Sequence, residues 1–211
     1  MTTTLFITRH GQTMWNTEKR MQGWKDSPLT EAGINQATWL RDRIKNTNID
    51  YIYASPIGRA YRTAEIVRGN RDVPIITDDR IREINMGVWE GLAQEEIDSL
   101  YKEQLFNFWN APHLYEPIQG ESFIQVRERT SEFIEEMAKK HPGQNIFIVT
   151  HTIALKSIMS YIQDIPLEKF WGDPYIHPTS LTVVKIDGEN REVLMHADAS
   201  HIKNLKEIKV V

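Results

Sequence analysis

The sequence contains no cysteine among its 211 residues. This absence excludes a disulfide framework, a cysteine-ligated metal and thiol catalysis, and it leaves the compartment open. No apolar run approaches the roughly 20 residues that span a bilayer. The N-terminus has no charged segment followed by an apolar one, as a secretion signal would require. We therefore expect a cytoplasmic protein with no membrane partner.

The sequence also has no excess of positive charge. Its 25 lysines and arginines stand against 29 acidic residues, for a net charge of −4. Such a surface has no general attraction for nucleic acid, so no nucleic-acid partner is expected. A bound phosphate would instead need a few well-placed cations. A GxxxxGK[ST] loop is absent as well, so nucleoside triphosphate hydrolysis has no support, and no cofactor is implied.

The length favours a single domain over residues 1–211. Hydrophobic residues make up 40% of the chain and charged residues 26%, as in ordinary globular proteins. Strand-like runs occur at 4–8, 49–55, 73–77, 145–150, 181–186 and 192–197. The first, second and fourth are almost continuously apolar, which is typical of central strands covered on both faces. The turn "DGEN" between the last two predicts a hairpin.

Helical patterns lie between these strands. One follows Thr30, a suitable N-cap, and a longer one opens at Ser122 with a capping-box spacing to Gln125. In "SPIGRA", Ser55 is predicted as an N-cap with Pro56 in the first turn. A further helix is expected over 151–162.

Alternating strands and helices predict an α/β fold: a three-layer α/β/α sandwich around a central, mostly parallel mixed sheet. The segment 85–120 is irregular and rich in aromatic residues, and it is predicted to be a small cap insertion over that sheet.

Polar residues collect at the predicted strand ends. Arg9 and His10 end the first strand, Arg59 follows the second, Glu83 follows the third, and His151 follows the strand at 145–150. Ligands of open α/β sheets bind beyond the carboxyl ends of the strands. Two arginines, two histidines and an acid at one sheet edge are more than a core requires, and they predict a site for an anionic substrate.

Several motifs occur in the order found in one family. They are "TRHGQTMWN", "MQGWKDSPLTEAG", "ASPIGRAYRTAEI", "REINMGVWEG" and "VTHT". With them the sequence resembles the histidine phosphatase superfamily, which has the phosphoglycerate mutase-like fold, over nearly its whole length. It looks closest to the small bacterial broad-specificity phosphatases of that family.

The resemblance implies a role for each matching residue. His10 would be the nucleophile that becomes phosphorylated, and Glu83 the proton donor. The phosphoryl oxygens would be held by Arg9, Arg59 and His151. The same pocket would be lined by Asn16, Gln22, Gly23 and Thr152. The activity implied is metal-independent hydrolysis of small-molecule phosphomonoesters through a phosphohistidine.

The physical chemistry of phosphoryl transfer agrees with these roles. Charge on the equatorial oxygens calls for positioning and electrostatic stabilisation, and planar guanidinium groups supply both. His10 must present an unprotonated nitrogen, so we expect its other ring nitrogen to donate to a backbone carbonyl. Gly11 is expected to let the backbone approach the phosphate closely.

Other functions stay open at this point. Phosphoglycerate mutase-type transfer uses the same chemistry, but the acidic "LAQEEIDSLY" after "WEG" disfavours a doubly phosphorylated cofactor. A metal-dependent hydrolase would need ligands, and the remaining histidines, such as His113, His177, His196 and His201, are scattered. Thr152 replaces the family's usual glycine after the second histidine, which leaves room for a catalytically weak, phosphate-binding regulatory module.

The substrate side of the pocket and the oligomeric state are not determined by these patterns. "FNFWNAPHLYEP" offers Phe106, Phe108 and Trp109 either as an apolar wall for the organic part of a substrate or as the cap's own small core.

Overall fold

The computed structural model describes residues 1–203. The strands within them are β1 (Thr3–Arg9), β2 (Tyr51–Ala54), β3 (Ile75–Thr77), β4 (Asn145–Thr150), β5 (Leu181–Asp187) and β6 (Asn190–Asp198). Every strand predicted from the sequence is confirmed, and the ends differ from the prediction by no more than about two residues, within the usual uncertainty of such boundaries.

The strands form one mixed sheet in the order β3-β2-β4-β1-β5-β6. The pairs β2/β3, β2/β4 and β1/β4 are parallel, whereas β1/β5 and β5/β6 are antiparallel. The predicted hairpin is therefore present, with Asp187 paired to Asn190 across its turn. The three near-continuous apolar runs are interior strands, because each of β1, β2 and β4 has a neighbour on both sides.

The α-helices lie between the strands in sequence. They are α1 (Met14–Thr17), α2 (Glu31–Arg43), α3 (Gly58–Arg68), α4 (Gln94–Leu100), α5 (Lys102–Asn110), α6 (Phe123–Lys140) and α7 (Thr152–Ile162). Thr30 caps α2 by accepting from the Gly33 amide at 3.0 Å. Ser122 and Gln125 form the predicted capping box of α6. No helix within residues 1–203 is long and apolar enough to cross a membrane.

The predicted Ser55 cap is wrong. Helix α3 begins at Gly58, so Ser55 and Pro56 lie before it. The cap comes from a distant segment, because the Asp26 carboxylate accepts from the backbone N–H of Arg59 at 3.1 Å. An exposed amide at a helix start needs an acceptor, and a carboxylate there is also favoured by the helix dipole.

Apolar side chains cover both faces of the sheet, which gives the three layers expected. Helices α6 and α7 pack on one face through Phe133, Ile134, Met137, Leu155, Ile158 and Met159. Helices α2 and α3 pack on the other through Ala37, Leu40, Ile44, Ala60, Ala64 and Val67. With its faces buried, the sheet leaves its strand ends as the place where polar chemistry is accessible.

The segment 85–120 holds α4, α5 and the short 3-10 turns Gly87–Trp89 and Pro112–Leu114. Its apolar residues form a third cluster, in which Phe108 is fully buried and its ring centroid lies 5.2 Å from that of Phe123 on α6. Ile153 of α7 belongs to the same cluster. This segment is therefore packed onto helices of the sandwich.

Candidate active site

The carboxyl ends of β1 and β4 bring two histidines together. These strands pair in parallel up to Arg9 and Thr150, and the His10 amide donates to the Thr150 carbonyl at 2.9 Å. His10 and His151 thus leave the sheet side by side. Their ring centroids are 5.1 Å apart, and both side chains are buried.

The His10 ring is held in one orientation by two contacts. Its Nδ1 lies 2.7 Å from the Gly11 carbonyl oxygen. Because that oxygen can only accept, Nδ1 carries the proton, as expected from the sequence. Nε2 then holds the lone pair, and Arg59 Nε donates to it at 3.2 Å. The ring therefore presents an unprotonated nitrogen beside a guanidinium.

Burial favours this neutral form of His10. Desolvation lowers its pKa well below the ordinary value of 6.5, and the charges of Arg59 and Arg9 lower the pKa further. A neutral imidazole near neutral pH is the state that a nitrogen nucleophile needs.

Gly11 permits a close backbone contact with α2, and its approach to a phosphate stays a prediction. A Cβ at this position would lie 2.5 Å from the Gly33 carbonyl oxygen of α2, too close for any side chain. The backbone contact that this glycine allows is thus with α2. The Gly11 amide also donates to the hydroxyl of Thr63 on α3 at 3.1 Å, which ties the turn after β1 to both helices of that face.

Arg59 is almost fully buried at the start of α3. Its Nη1 donates to the Lys25 carbonyl at 2.6 Å and its Nη2 to the Gly23 carbonyl at 2.7 Å. With Nε aimed at His10, these contacts fix the plane of the guanidinium. The Nε edge of the group therefore faces the place where phosphorus would bond to Nε2.

His151 lies behind His10 and is held by Ser55. The Ser55 hydroxyl accepts from the Ile57 amide at 3.3 Å and lies 2.8 Å from His151 Nε2. A serine hydroxyl can donate to Nε2 as well as accept from it, so this contact is compatible with a ring proton on Nδ1. Within residues 1–203, Nδ1 has no hydrogen-bond partner. Burial, followed by the charge of Arg59, lowers the pKa of His151 well below its ordinary value.

The Glu83 carboxylate sits at the N-terminus of α7. It accepts from the amides of Ile153 at 3.1 Å and Ala154 at 3.2 Å, and from its own neighbour Ile84 at 3.0 Å. Free N–H groups of a helix start favour an anion there. The Glu83 side chain is buried but lines the same cavity as His10.

The backbone around Glu83 is anchored by Arg129 of α6. Arg129 donates from Nη1 to the carbonyls of Arg80 and Arg82 and from Nη2 to that of Glu83, at 2.7 to 2.9 Å. It also pairs with the Glu121 carboxylate at 2.8 Å, and both side chains are largely buried. The fork of one guanidinium thus fixes the loop that carries Glu83.

Arg9 and the two predicted amides complete the polar lining. Arg9 Nη1 donates to the Ile176 carbonyl at 2.9 Å. The amide oxygens of Asn16 and Gln22 each lie 3.0 Å from the Thr13 hydroxyl. The amide NH₂ groups are the remaining donors of these two side chains.

A cavity of about 450 Å³ joins these groups. The predicted residues that line it are Arg9, His10, Asn16, Gln22, Gly23, Arg59, Glu83 and Thr152. His151 is the predicted residue that does not line it, since it stands behind His10. The walls above the polar floor are largely apolar, and they include Trp15, Met21, Met86, Phe108, Trp109 and Trp171.

The aromatic stretch of the cap contributes both to the cap's own core and to the cavity wall. Phe108 is fully buried in the cap cluster and also reaches the cavity, whereas Trp109 lines the cavity with its ring centroid 4.7 Å from that of Trp171. Phe106 is 61% exposed and does neither.

Several residues of the site were not found from the sequence. Ser55 was read as a helix cap, and nothing local marked Asp26, Thr63 or Arg129 as partners of the central side chains. The segment 171–176, which supplies Trp171, Tyr175 and Ile176 to the cavity, has no strand or helix periodicity. No group of three or more potential metal-ligating side chains occurs in the described part of the chain.

This arrangement defines a class of protein. The α/β sandwich presents arginines, a histidine and a carboxylate to one cavity, a set of groups whose chemistry suits an anionic ligand. The chain belongs to the histidine phosphatase superfamily (branch 1), whose family model matches residues 5–199. The resemblance drawn from the sequence motifs is thereby confirmed.

Similar proteins include both phosphatases and mutases. Phosphoserine phosphatase 1 of Hydrogenobacter thermophilus is 35% identical over 168 residues, 80% of each chain. The probable phosphoglycerate mutase GpmB of Escherichia fergusonii is 34% identical over 90% of this chain and 87% of its own. The solved structure of Bacillus stearothermophilus YhfR is 46% identical, with a TM-score of 0.94 over 95% of this chain and all of that one. The family and these relatives indicate an enzyme of the phosphatase or mutase type.

Proposed function

We propose that the protein is a cytoplasmic, metal-independent phosphatase that hydrolyses small-molecule phosphomonoesters through a phosphohistidine at His10. The observation that carries the proposal is the contact between Arg59 Nε and His10 Nε2. It sets an unprotonated ring nitrogen next to a cation whose donors are fixed before any substrate binds. Preorganised charge of this kind stabilises a phosphoryl group in transfer.

In the first step, Nε2 of His10 attacks phosphorus and the bond to the leaving oxygen breaks. Arg59 donates from its Nε edge to a phosphoryl oxygen, and Arg9 adds a second positive charge. We propose that the Nδ1–H of His151, whose ring centroid is 5.1 Å from that of His10 but which does not line the cavity, donates to another phosphoryl oxygen once the ester is bound. Glu83, in its protonated form, gives its proton to the departing oxygen and becomes a carboxylate, because an alkoxide is a poor leaving group unless it is protonated.

In the second step, water attacks phosphorus and the N–P bond to His10 breaks. Glu83, now a carboxylate, takes a proton from that water. Inorganic phosphate leaves and the neutral imidazole is restored. The positive charge comes from arginine side chains throughout, so the scheme needs no metal ion.

The apolar walls support a preference among phosphomonoesters. Trp109 and Trp171 stand beside the polar floor, where the organic part of a bound ester would lie. Burial of an aromatic or aliphatic group against such rings is favourable. The proposed substrates are therefore small phosphomonoesters with an apolar organic part. Thr152 lies in the same lining, and its hydroxyl is proposed as a further donor to the phosphate.

The proposal includes the expected domain organisation, a single domain over 1–211 with a cap around 85–120. Supporting it, the cap cluster shares Phe123 and Ile153 with helices α6 and α7.

Mutase-type transfer is the second candidate, because a relative of 34% identity is named a probable phosphoglycerate mutase. A mutase would pass the phosphoryl group to a substrate hydroxyl instead of water. Glu95 and Glu96 in the first turn of α4 do not line the cavity, so the acidic stretch after "WEG" supplies no positive charge for a second phosphate. A silent phosphate-binding module would bind phosphate without turnover.

The test is phosphate release from an aromatic phosphomonoester at pH 6 to 7 in the presence of EDTA. Wild type, His10→Ala and His113→Ala are compared, since His113 is exposed on the cap. Turnover in EDTA by wild type and His113→Ala, but not by His10→Ala, supports the proposal. Turnover by His10→Ala, or loss of wild-type activity in EDTA, overturns it. Interconversion of 2- and 3-phosphoglycerate without net phosphate release would establish the mutase.

A further inference from the structure

The Glu90 carboxylate binds the backbone of the turn formed by residues 23–25, whose first residue lines the cavity. Its Oε1 accepts from the amide of Trp24 at 2.7 Å and from that of Met86 at 3.2 Å. Its Oε2 accepts from the amide of Lys25 at 3.2 Å. The backbone carbonyl of Glu90 accepts in addition from Lys25 Nζ at 2.9 Å. Residues 24 and 25 are thus bound through their N–H groups on the side away from α3.

Arg59 binds the same turn from the opposite side. Its two terminal nitrogens donate to the carbonyls of Gly23 and Lys25, at 2.7 and 2.6 Å. The turn is therefore clamped between a carboxylate, which takes its N–H groups, and a guanidinium, which takes its C=O groups. Moving the turn moves the carbonyls that set the plane of Arg59, and with it the Nε that donates to His10.

Gly23 shows how closely Glu90 packs on this turn. The residue has a φ of +54°, and a Cβ there would lie 2.2 Å from Glu90 Oε1. Only glycine fits both the backbone conformation and the space. The Glu90 carboxylate therefore packs directly on the backbone of this turn, in a closer contact than a surface ion pair makes.

We propose that Glu90 is a positioning residue for Arg59, acting through the turn 23–25. This inference rests on the proposed function, in which Arg59 holds the transferred phosphoryl group. Glu90 does not line the cavity and touches no reacting atom. Its role is to keep the Gly23 and Lys25 carbonyls where the guanidinium plane needs them. A misplacement of about 1 Å in a group that orients the reaction costs on the order of 100-fold in rate.

The acceptor pattern makes glutamine a sharp probe. Both carboxylate oxygens accept N–H groups, so a Glu90→Gln side chain must turn its NH₂ toward at least one backbone N–H. Shape is kept while an acceptor becomes a donor. We expect kcat/KM to fall by about 10- to 100-fold and the affinity for inorganic phosphate to fall with it. Glu95→Gln, on an exposed residue of α4, is the matched control and leaves both unchanged.

A double-mutant cycle separates positioning from general damage. Residues that act as a unit give non-additive effects. If Glu90 acts through Arg59, the substitution Glu90→Gln has little further effect on kcat/KM in an Arg59→Ala background. In a Glu83→Gln background its effect persists in full. An equal loss in the Arg59→Ala background, or no loss in the wild-type background, overturns the proposal.

Thermal unfolding shows whether Glu90→Gln is folded. If it is not, a second variant tests the proposal. Gly23→Ala puts a methyl group against Glu90 Oε1 and so displaces the turn from the Glu90 side, and it is expected to show the same non-additivity with Arg59→Ala. If the wild-type protein turns over no phosphomonoester, the proposed function has failed. The cycle is then run on binding of inorganic phosphate, where additivity of the Glu90 and Arg59 substitutions overturns the positioning role by itself.

Discussion

Arg59 Nε lies 3.2 Å from His10 Nε2, and both side chains are almost entirely removed from water. A buried guanidinium beside an imidazole disfavours protonation of the ring. The pair therefore consists of a neutral His10 ring and a positively charged Arg59 guanidinium. Addition of a phosphoryl group to Nε2 would bring negative oxygens to the guanidinium and compensate its charge.

The first prediction concerns protonation. The lowered pKa of His10 and of His151 means that both rings stay neutral in the folded protein as the pH falls below 6.5. In the unfolded chain they take up protons near pH 6.5. The unfolded state then binds more protons, so the free energy of unfolding decreases as the pH falls from 6.5.

Histidine ring NMR on labelled protein checks this directly. The His10 and His151 signals should not titrate between pH 7.5 and 5.5, and they should titrate in concentrated urea. Unfolding in urea at the two pH values should show lower stability at pH 5.5, and His10→Asn should reduce that difference. A His10 signal that titrates with a midpoint near 6.5 in the folded protein would contradict the account.

The second prediction concerns Glu83 as the proton donor. Glu83→Gln removes the transferable proton but keeps the side-chain shape. We expect kcat for an alkyl phosphate, whose leaving alkoxide is strongly basic, to fall by about 10²- to 10⁴-fold. For 4-nitrophenyl phosphate, the leaving group needs little protonation, so the rate of the first step should decrease much less. Single-turnover kinetics with both esters measures this, and equal losses would count against the role.

The third prediction concerns the apolar wall. Trp109→Ala removes a ring that lines the cavity and packs on Trp171. An aromatic contact of this size contributes about 1 kcal/mol, so kcat/KM for an aromatic phosphomonoester should fall by about 5- to 10-fold. For glycerol phosphate the change should be small. Phe106→Ala, on the same helix but facing solvent, is the control and should leave both values unchanged.

The fourth prediction concerns the anchor of the Glu83 loop. Arg129→Ala leaves the Glu121 carboxylate and three backbone carbonyls without their buried partner. Breaking a largely buried pair in this way costs about 3 kcal/mol of unfolding free energy. Arg62→Ala, which breaks the exposed pair with Glu65, should cost no more than about 0.5 kcal/mol. Urea unfolding compares the two, and similar losses would show that the Arg129 network adds no stability.

The parts of the fold that the sequence predicts well are those set by local pattern. The apolar runs of β1, β2 and β4 and the capping box at Ser122 depend on side chains a few residues apart. The ends of these strands also bring His10, Arg59 and His151 near one another, because a parallel sheet brings its carboxyl ends to one edge.

The parts that sequence reasoning missed depend on contacts between distant segments. Asp26 caps α3 from 33 residues away, which is why Ser55 was misassigned and its contact with His151 was not foreseen. The cavity walls from 171–176 come from a segment without periodicity. The close contact of Gly11 with Gly33 was also not predicted, because it depends on how α2 packs against the end of β1.

The central claim is covalent catalysis by His10, and the most direct test is to trap the intermediate. Wild-type protein is mixed with a rapidly cleaved aromatic phosphomonoester, quenched in alkali within milliseconds, where phosphohistidine survives, and digested for mass spectrometry. The account predicts one phosphoryl group on the peptide that contains His10, formed and lost at rates compatible with turnover. The His10→Ala variant, in which Glu83 is unchanged, should carry no phosphoryl group. Turnover with no phosphorylated His10, or phosphorylation at another residue, would contradict it.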